Sequence, residues 1–215
     1  MVRNKIGKLF GALVCFGLAA CGQTGIREAV ITPEKNLPRP ARILVYDFAV
    51  SEREVTEYQG IMRQQPTIKD PAERERQIAM DVKDALAGEV VDGLRVLGFK
   101  VERASRGTPA TGNELLIDGQ FFRVDEGNPV RRLVGTGTST VEAQAQAYQG
   151  SDKKKLLDFA TYSDGGMHNS DVAQMAAASG DQVVRYLSEF FAQQGWIRAD
   201  QVRKRERNLL RRREA

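Results

Sequence analysis

The chain has 215 residues, of which 41% are hydrophobic and 28% charged; this suits one globular domain with a real core and excludes a disordered or fibrous chain. Its two cysteines, Cys15 and Cys21, are too few for a disulfide framework. The net charge of +4 sits at the ends: residues 1–20 carry three basic residues, and residues 198–215 carry eight basic against three acidic, leaving −4 on the body. A basic pI is therefore no argument that the folded domain binds nucleic acid.

Arg3, Lys5 and Lys8 precede a charge-free apolar run, Leu9 to Ala20. That run is too short to span a bilayer, which takes about 20 apolar residues, and has the length of a signal-peptide core. It ends in Leu18-Ala19-Ala20-Cys21, which resembles the bacterial lipobox. The resemblance implies cleavage between Ala20 and Cys21 and a multiply acylated Cys21 as the first mature residue. One acyl chain binds a membrane only marginally, so more than one is needed for stable anchoring. Gly22 follows where an Asp would resemble an inner-membrane retention signal, so in a double-membraned bacterium the outer membrane is implied. Plain secretion with cleavage nearby is the alternative.

Residues 21–41 are polar, with Pro33, Pro38 and Pro40, and are expected to form a tether reaching at most about 65 Å. Ile43-Leu44-Val45-Tyr46-Asp47-Phe48 is an apolar, β-forming run that predicts a buried central strand. Ser51 and Glu54 have capping-box spacing within a charged excursion to Lys69. Asp70-Pro71-Ala72-Glu73 predicts a helix start. From there Ile78, Val82, Leu86, Val90, Leu94 and Leu97 mark one face, Asp81, Asp84, Asp92 and Arg95 the other, and Gly98 ends the helix.

Phe99 to Glu102 and Leu115 to Val124 are predicted strands, with Phe121-Phe122 as a bulge or a site buried on both sides. After the Gly127-Asn128-Pro129 turn, Leu133 to Tyr148 alternates with period two. Its Ala, Gln and Glu content favours helix, and Ser139 with Glu142 has the spacing to cap one, but the period favours strand. Gly150-Ser151-Asp152 turns the chain into a strand from Lys155 to Thr161, making a hairpin. Beyond the glycine-rich loop Ser163–Asn169, a second long helix is expected from Ser170-Asp171, with Val172, Met175, Ala176, Val183, Leu187 and Phe190 inward. Gly195 ends it, and Trp196-Ile197 folds back on the core. The order strand, helix, strands, helix predicts an α+β domain over residues 42–197, a mostly antiparallel sheet packed by two long helices, with a basic tail over 198–215.

Lipobox, tether, the Ile43–Phe48 strand, the long helix, Leu116-Ile117-Asp118-Gly119, Gly135-Thr136-Gly137 and the closing helix together resemble the bacterial lipoprotein family catalogued as domain of unknown function 4410. More distantly, the strand ending in Asp47-Phe48 is similar to the opening strand of the curli-secretion channel lipoprotein and of the peptidoglycan-synthase activator lipoprotein. The resemblance implies a fold type and carries no activity.

Candidate chemistry is sparse. His168 is the single histidine, with Ser163, Asp164 and Ser170 near it in sequence, but no Gly-x-Ser-x-Gly elbow supports a hydrolase. No metal site is expected, since one His and no free Cys remain, and no cofactor is expected. Asp47 at a strand end is a candidate site carboxylate, although such a residue more often caps a turn. Gly135-Thr136-Gly137 is not followed by a helix, so glycines easing strand curvature account for it better than a phosphate cradle. Arg203, Lys204, Arg205, Arg211, Arg212 and Arg213 form a basic tail, which either is simply solvated or binds anionic headgroups or an envelope polyanion; without interleaved aromatics, nucleic acid is not expected. The expected function is a non-enzymatic envelope lipoprotein that binds or scaffolds an envelope protein or polyanion. A subunit of an oligomeric export channel and a hydrolase using His168 are the alternatives. The hairpin from Leu133 to Thr161 is long enough to cross a membrane, but its alanine face and Lys153-Lys154-Lys155 turn suit lipid poorly.

Overall fold

A computed structural model describes residues 23–56, 70–110, 112–127, 137–165, 171–198 and 200–202. Their strands are β1 (Thr24–Ile31), β2 (Arg42–Tyr46), β3 (Val55–Thr56), β4 (Val101–Ala104), β5 (Glu114–Asp125), β6 (Thr140–Gln149) and β7 (Lys154–Asp164), and the long helices are α1 (Pro71–Val96) and α2 (Val172–Gln193). The strands form one sheet in the order β1-β7-β6-β5-β2-β4, with β3 continuing alongside β5 beyond β2.

The fold is α+β, but the sheet is mixed rather than mostly antiparallel. β2 runs parallel to both β4 and β5, and β3 parallel to β5, while β5, β6, β7 and β1 pair antiparallel. The reason is α1. Its 26 residues rise about 39 Å and carry the chain back to the start of β2, so the next strand must run parallel to it. From β4 the chain returns again by way of residues 105–110 and 112–113, and β5 also starts beside the start of β2. Residues 105–110 cross the face of β2 away from the helices. Ala110 packs there with Leu44, Tyr46 and Leu116 in a small second core, and the Tyr46 hydroxyl donates to the Thr108 carbonyl.

The expected tether needs a second correction. Residues 24–31 are not a tether: they form β1, an edge strand paired with β7 from Thr24–Ser163 to Ile31–Leu157 and bulged where Glu28 takes φ 52°. Ile26 packs against the main core. Thr24, Ile26, Val30 and Ile31 supply the β-branched content of a strand, which the three prolines further along obscured. Leu37 is also fixed, its carbonyl accepting from the Trp196 indole.

Both helices pack on one face of the sheet. The Asp70 carboxylate accepts from the Ala72 N–H at the start of α1, and the Asp171 carboxylate accepts from Ala173 and Gln174 at the start of α2. Ile78, Val82, Leu86, Val90 and Leu94 of α1 meet Val183, Val184, Leu187, Phe190 and Phe191 of α2 above β2, β5, β6 and β7. Each such side chain contributes roughly 1.5–3 kcal/mol when fully buried. The helices approach closely because of two glycines: a Cβ on Gly93 would fall 2.8 Å from Val184, and one on Gly180 would fall 2.8 Å from the Leu86 carbonyl oxygen. Trp196 and Ile197 fold back as expected, with Trp196 against Phe190 and Phe191.

The alternation at 139–149 is a strand. Val141, Ala143, Ala145 and Ala147 are buried under the helices and the polar residues between them face the other way. The β5–β6 register slips between Phe121 and Arg123, leaving Phe122 half exposed, so the Phe-Phe pair marks a bulge. Ser163 belongs to β7 rather than to the glycine-rich loop. No helix among the described residues is long and apolar enough to cross a membrane.

Candidate functional site

The helices cover one face of the sheet and residues 105–110 cover part of the other, so among the described residues β5, β6 and β7 keep an open face. Period-two alternation places Gln144, Gln146 and Tyr148 of β6 on it, opposite Ala160, Asp158 and Lys155 of β7. Asp158 is the hub of this face. Gln144 Nε2 donates to its Oδ1 at 2.6 Å, Gln146 Nε2 to its Oδ2 at 2.9 Å and Lys155 Nζ to its Oδ2 at 2.8 Å. The Tyr148 hydroxyl donates to Gln146 Oε1 at 2.5 Å, and the Arg27 guanidinium lies 4.0 Å over the Tyr162 ring.

Burial pushes the Asp158 carboxyl up, but the hydrogen bonds from Lys155, Gln144 and Gln146 outweigh it and hold the group below the ordinary aspartate range. The same bond from Lys155 to Asp158 raises the lysine. The result is a half-buried polar platform, charged at neutral pH and already hydrogen-bonded within itself. Preorganised amphipathic side chains of this kind lose little entropy when a partner covers them.

A concavity of roughly 800 Å³ lies at the C-terminal end of β2, with Phe48, Val50, Ala79 and Met80 as its apolar lining. Arg53, Arg76, Lys83 and Arg106 surround it. Asp47, the candidate carboxylate, is here. Its Oδ1 accepts from Arg103 Nε at 2.5 Å, and its Oδ2 lies 3.9 Å from Lys83 Nζ. Arg103 also bonds Asp84 on α1 at 2.6 Å. Asp47 therefore ties β2 to β4 and α1 through ion pairs. Arg106 reaches back from the loop to Asp118 at 2.7 Å. Gly119 beside it is obligatory: a Cβ there would stand 2.2 Å from the Phe48 ring, which gives the Leu116-Ile117-Asp118-Gly119 motif a packing reason.

Asp81 accepts from Gln77 Nε2 on the solvated side of α1. Gly137 takes φ 79°, and its carbonyl fills the space beside Gly127, so it belongs to a turn. Among the described residues no three His, Cys, Asp or Glu side chains gather as metal ligands would. Ala20, Cys21, His168, Arg203, Lys204, Arg205, Arg211, Arg212 and Arg213 lie outside the described residues, as do Gly135 and Thr136. Sequence reasoning missed the Asp158 hub. The alternation of residues 141–148 was its signal, but pairing with Asp158 depends on register, and a bulge between Ala147 and Tyr148 shifts that register.

The sequence model of the family described as Domain of unknown function (DUF4410) matches residues 43–192. No curated protein matches the chain. Among solved structures, the PelC dodecamer from Paraburkholderia phytofirmans is similar at 13% identity and TM-score 0.44, covering 76% of this chain and 95% of that one. A DUF330-family protein from Xanthomonas campestris is similar at 19% identity and TM-score 0.38, covering 75% and 88%. A putative neuraminyllactose-binding hemagglutinin homolog from Helicobacter pylori follows at 10% identity and TM-score 0.34, covering 73% and 86%.

Proposed function

The chain belongs to the DUF4410 family, and from that premise we propose a lipid-anchored, non-enzymatic binding module of the bacterial cell envelope, whose open sheet face receives a protein partner. The lipobox at Cys21 supports the anchor. One observation carries the binding surface: Gln144, Gln146 and Lys155 converge on Asp158 beside Tyr148, on the sheet face that neither helix covers. Interfaces favour tyrosine and arginine, and Tyr148, Tyr162 and Arg27 flank the hub. The outer membrane is the proposed location.

The test is site-specific photocrosslinking in cells, with the crosslinking residue at position 146 on the open face or at position 76 beside the concavity at the C-terminal end of β2. A discrete adduct from position 146, and none from position 76, is the expected result. Adducts from position 76 alone would refute the open face as the docking surface. A ladder at multiples of the chain's own mass would make the partner a second copy and favour the export-channel alternative.

A further inference from the structure

The anchor and the fold are joined with almost no slack. The Gln23 carbonyl already accepts from the Asp164 N–H at 2.7 Å, and the Thr24 hydroxyl bonds that of Ser163 at 3.1 Å. Only Gly22 separates this ladder from Cys21. Two residue steps reach about 7 Å, close to the thickness of one headgroup layer, roughly 5–8 Å.

The end of the sheet that meets this short linker is defined by its register. Thr24 pairs Ser163, Thr140 pairs Asp164, Asp125 pairs Thr140 and Thr56 pairs Asp125. Both helices also start there: Arg74 of α1 pairs with Glu126, and Met175 of α2 meets Ser163. The opposite end holds the starts of β2 and β4, Gly98 and the hairpin turn at Ser151. The ten residues of β6 separate the two ends by about 30 Å.

We infer that the sheet end carrying Thr24, Thr56, Thr140 and Asp164 faces the lipid headgroups, with the Ser151 end pointing away from the bilayer. This rests on the lipid-anchor reading proposed above. The open face then stands beside the membrane, and a protein that docks there meets the domain from the side. Gln201 lies at the distal end, its Nε2 donating to the Leu97 carbonyl at the C-terminus of α1.

The test uses the full chain, processed in cells and reconstituted into phosphatidylcholine vesicles doped with a paramagnetic headgroup lipid. Thr56→Cys and Ser151→Cys carry nitroxides one at a time, both at exposed positions; Cys21 itself is blocked by acylation. Relaxation of the Thr56 label, with none at Ser151, is the expected result. A spacer of about 20 Gly/Ser residues between Gly22 and Gln23, with r.m.s. reach near 25 Å, should abolish the difference. Equal relaxation at both positions without the spacer, or stronger relaxation at Ser151, would overturn the orientation while leaving the anchor intact. An intact mass without acyl chains would overturn the anchor reading and the orientation with it.

Discussion

The contact between α1 and α2 can be tested with one substitution at two sites. Gly88 and Gly180 both lie inside helices, so on propensity alone Gly→Ala should stabilise each by about 1 kcal/mol. Their surroundings differ. A Cβ at Gly88 meets nothing within 4 Å, whereas one at Gly180 would stand 2.8 Å from the Leu86 carbonyl oxygen and 2.9 Å from Glu89 Cβ. Ordinary contact begins at 3.4 Å, so the helices must part by about 0.6 Å, and a gap of 0.5–1 Å already forfeits a quarter to a half of each dispersion contact along the seam. Overpacking of this kind costs about 1–3 kcal/mol. Gly180→Ala should therefore lose a net of up to ~2 kcal/mol and lower Tm by up to roughly 8 °C, while Gly88→Ala should raise it by roughly 2–4 °C. Thermal and urea unfolding of the chain from Gly22 onward reads both. Equal and positive shifts at the two sites would refute the close helix approach.

The remaining predictions concern charge and the residues outside the described segments. Asp158 is held below its ordinary value of 3.8, so its stabilisation is present at neutral pH and is lost as pH falls through the folded-state value. Asp158→Asn should destabilise at pH 7 and flatten the acid limb of a urea-midpoint profile; an unchanged limb would deny the hub its charge. Deleting residues 203–215 should leave Tm nearly unchanged and weaken binding to anionic vesicles or envelope polyanions in a salt-dependent manner, and equal binding with and without the tail would leave only a solvated end. His168→Ala should fold and keep the crosslinking pattern at position 146; selective loss of that pattern at unchanged Tm would give His168 a role. Cys21→Ala should abolish fatty-acid labelling and release the protein from membranes, as fractionation would show.

Local signals in the sequence predicted local structure well. Asp70 with Pro71, the apolar stripe from Ile78 to Leu97, the Gly98 stop and the hairpin at Gly150 each specify themselves within a few residues, and each is present. What the sequence concealed is pairing between distant segments. The parallel neighbours of β2 follow from a helix long enough to bring the chain back, which periodicity does not report. β1 was obscured by polar residues and by the prolines after it, because an edge strand buries only one side and needs a partner to be recognised. The candidate site follows the same rule. Asp47 was visible as a charge ending an apolar run, but its commitment to Arg103 and Lys83 depends on β4 and α1 meeting β2. The Asp158 hub needs two strands in one register.

The pairing of β1 with β7 also orders events in time. Thr24 and Ser163 bond across 139 positions of the chain, so β1 emerges from the ribosome long before β7 exists to pair with it. Contacts that close loops of this length form late, after local elements have assembled. Until then β7 is a bare edge and β1 an extended, β-prone segment held at a membrane if Cys21 is acylated. Neighbouring molecules anchored on the same surface could exchange that strand, each completing the sheet of the next. Its polar residues and the bulge at Glu28, which breaks the regular ladder, guard against such exchange.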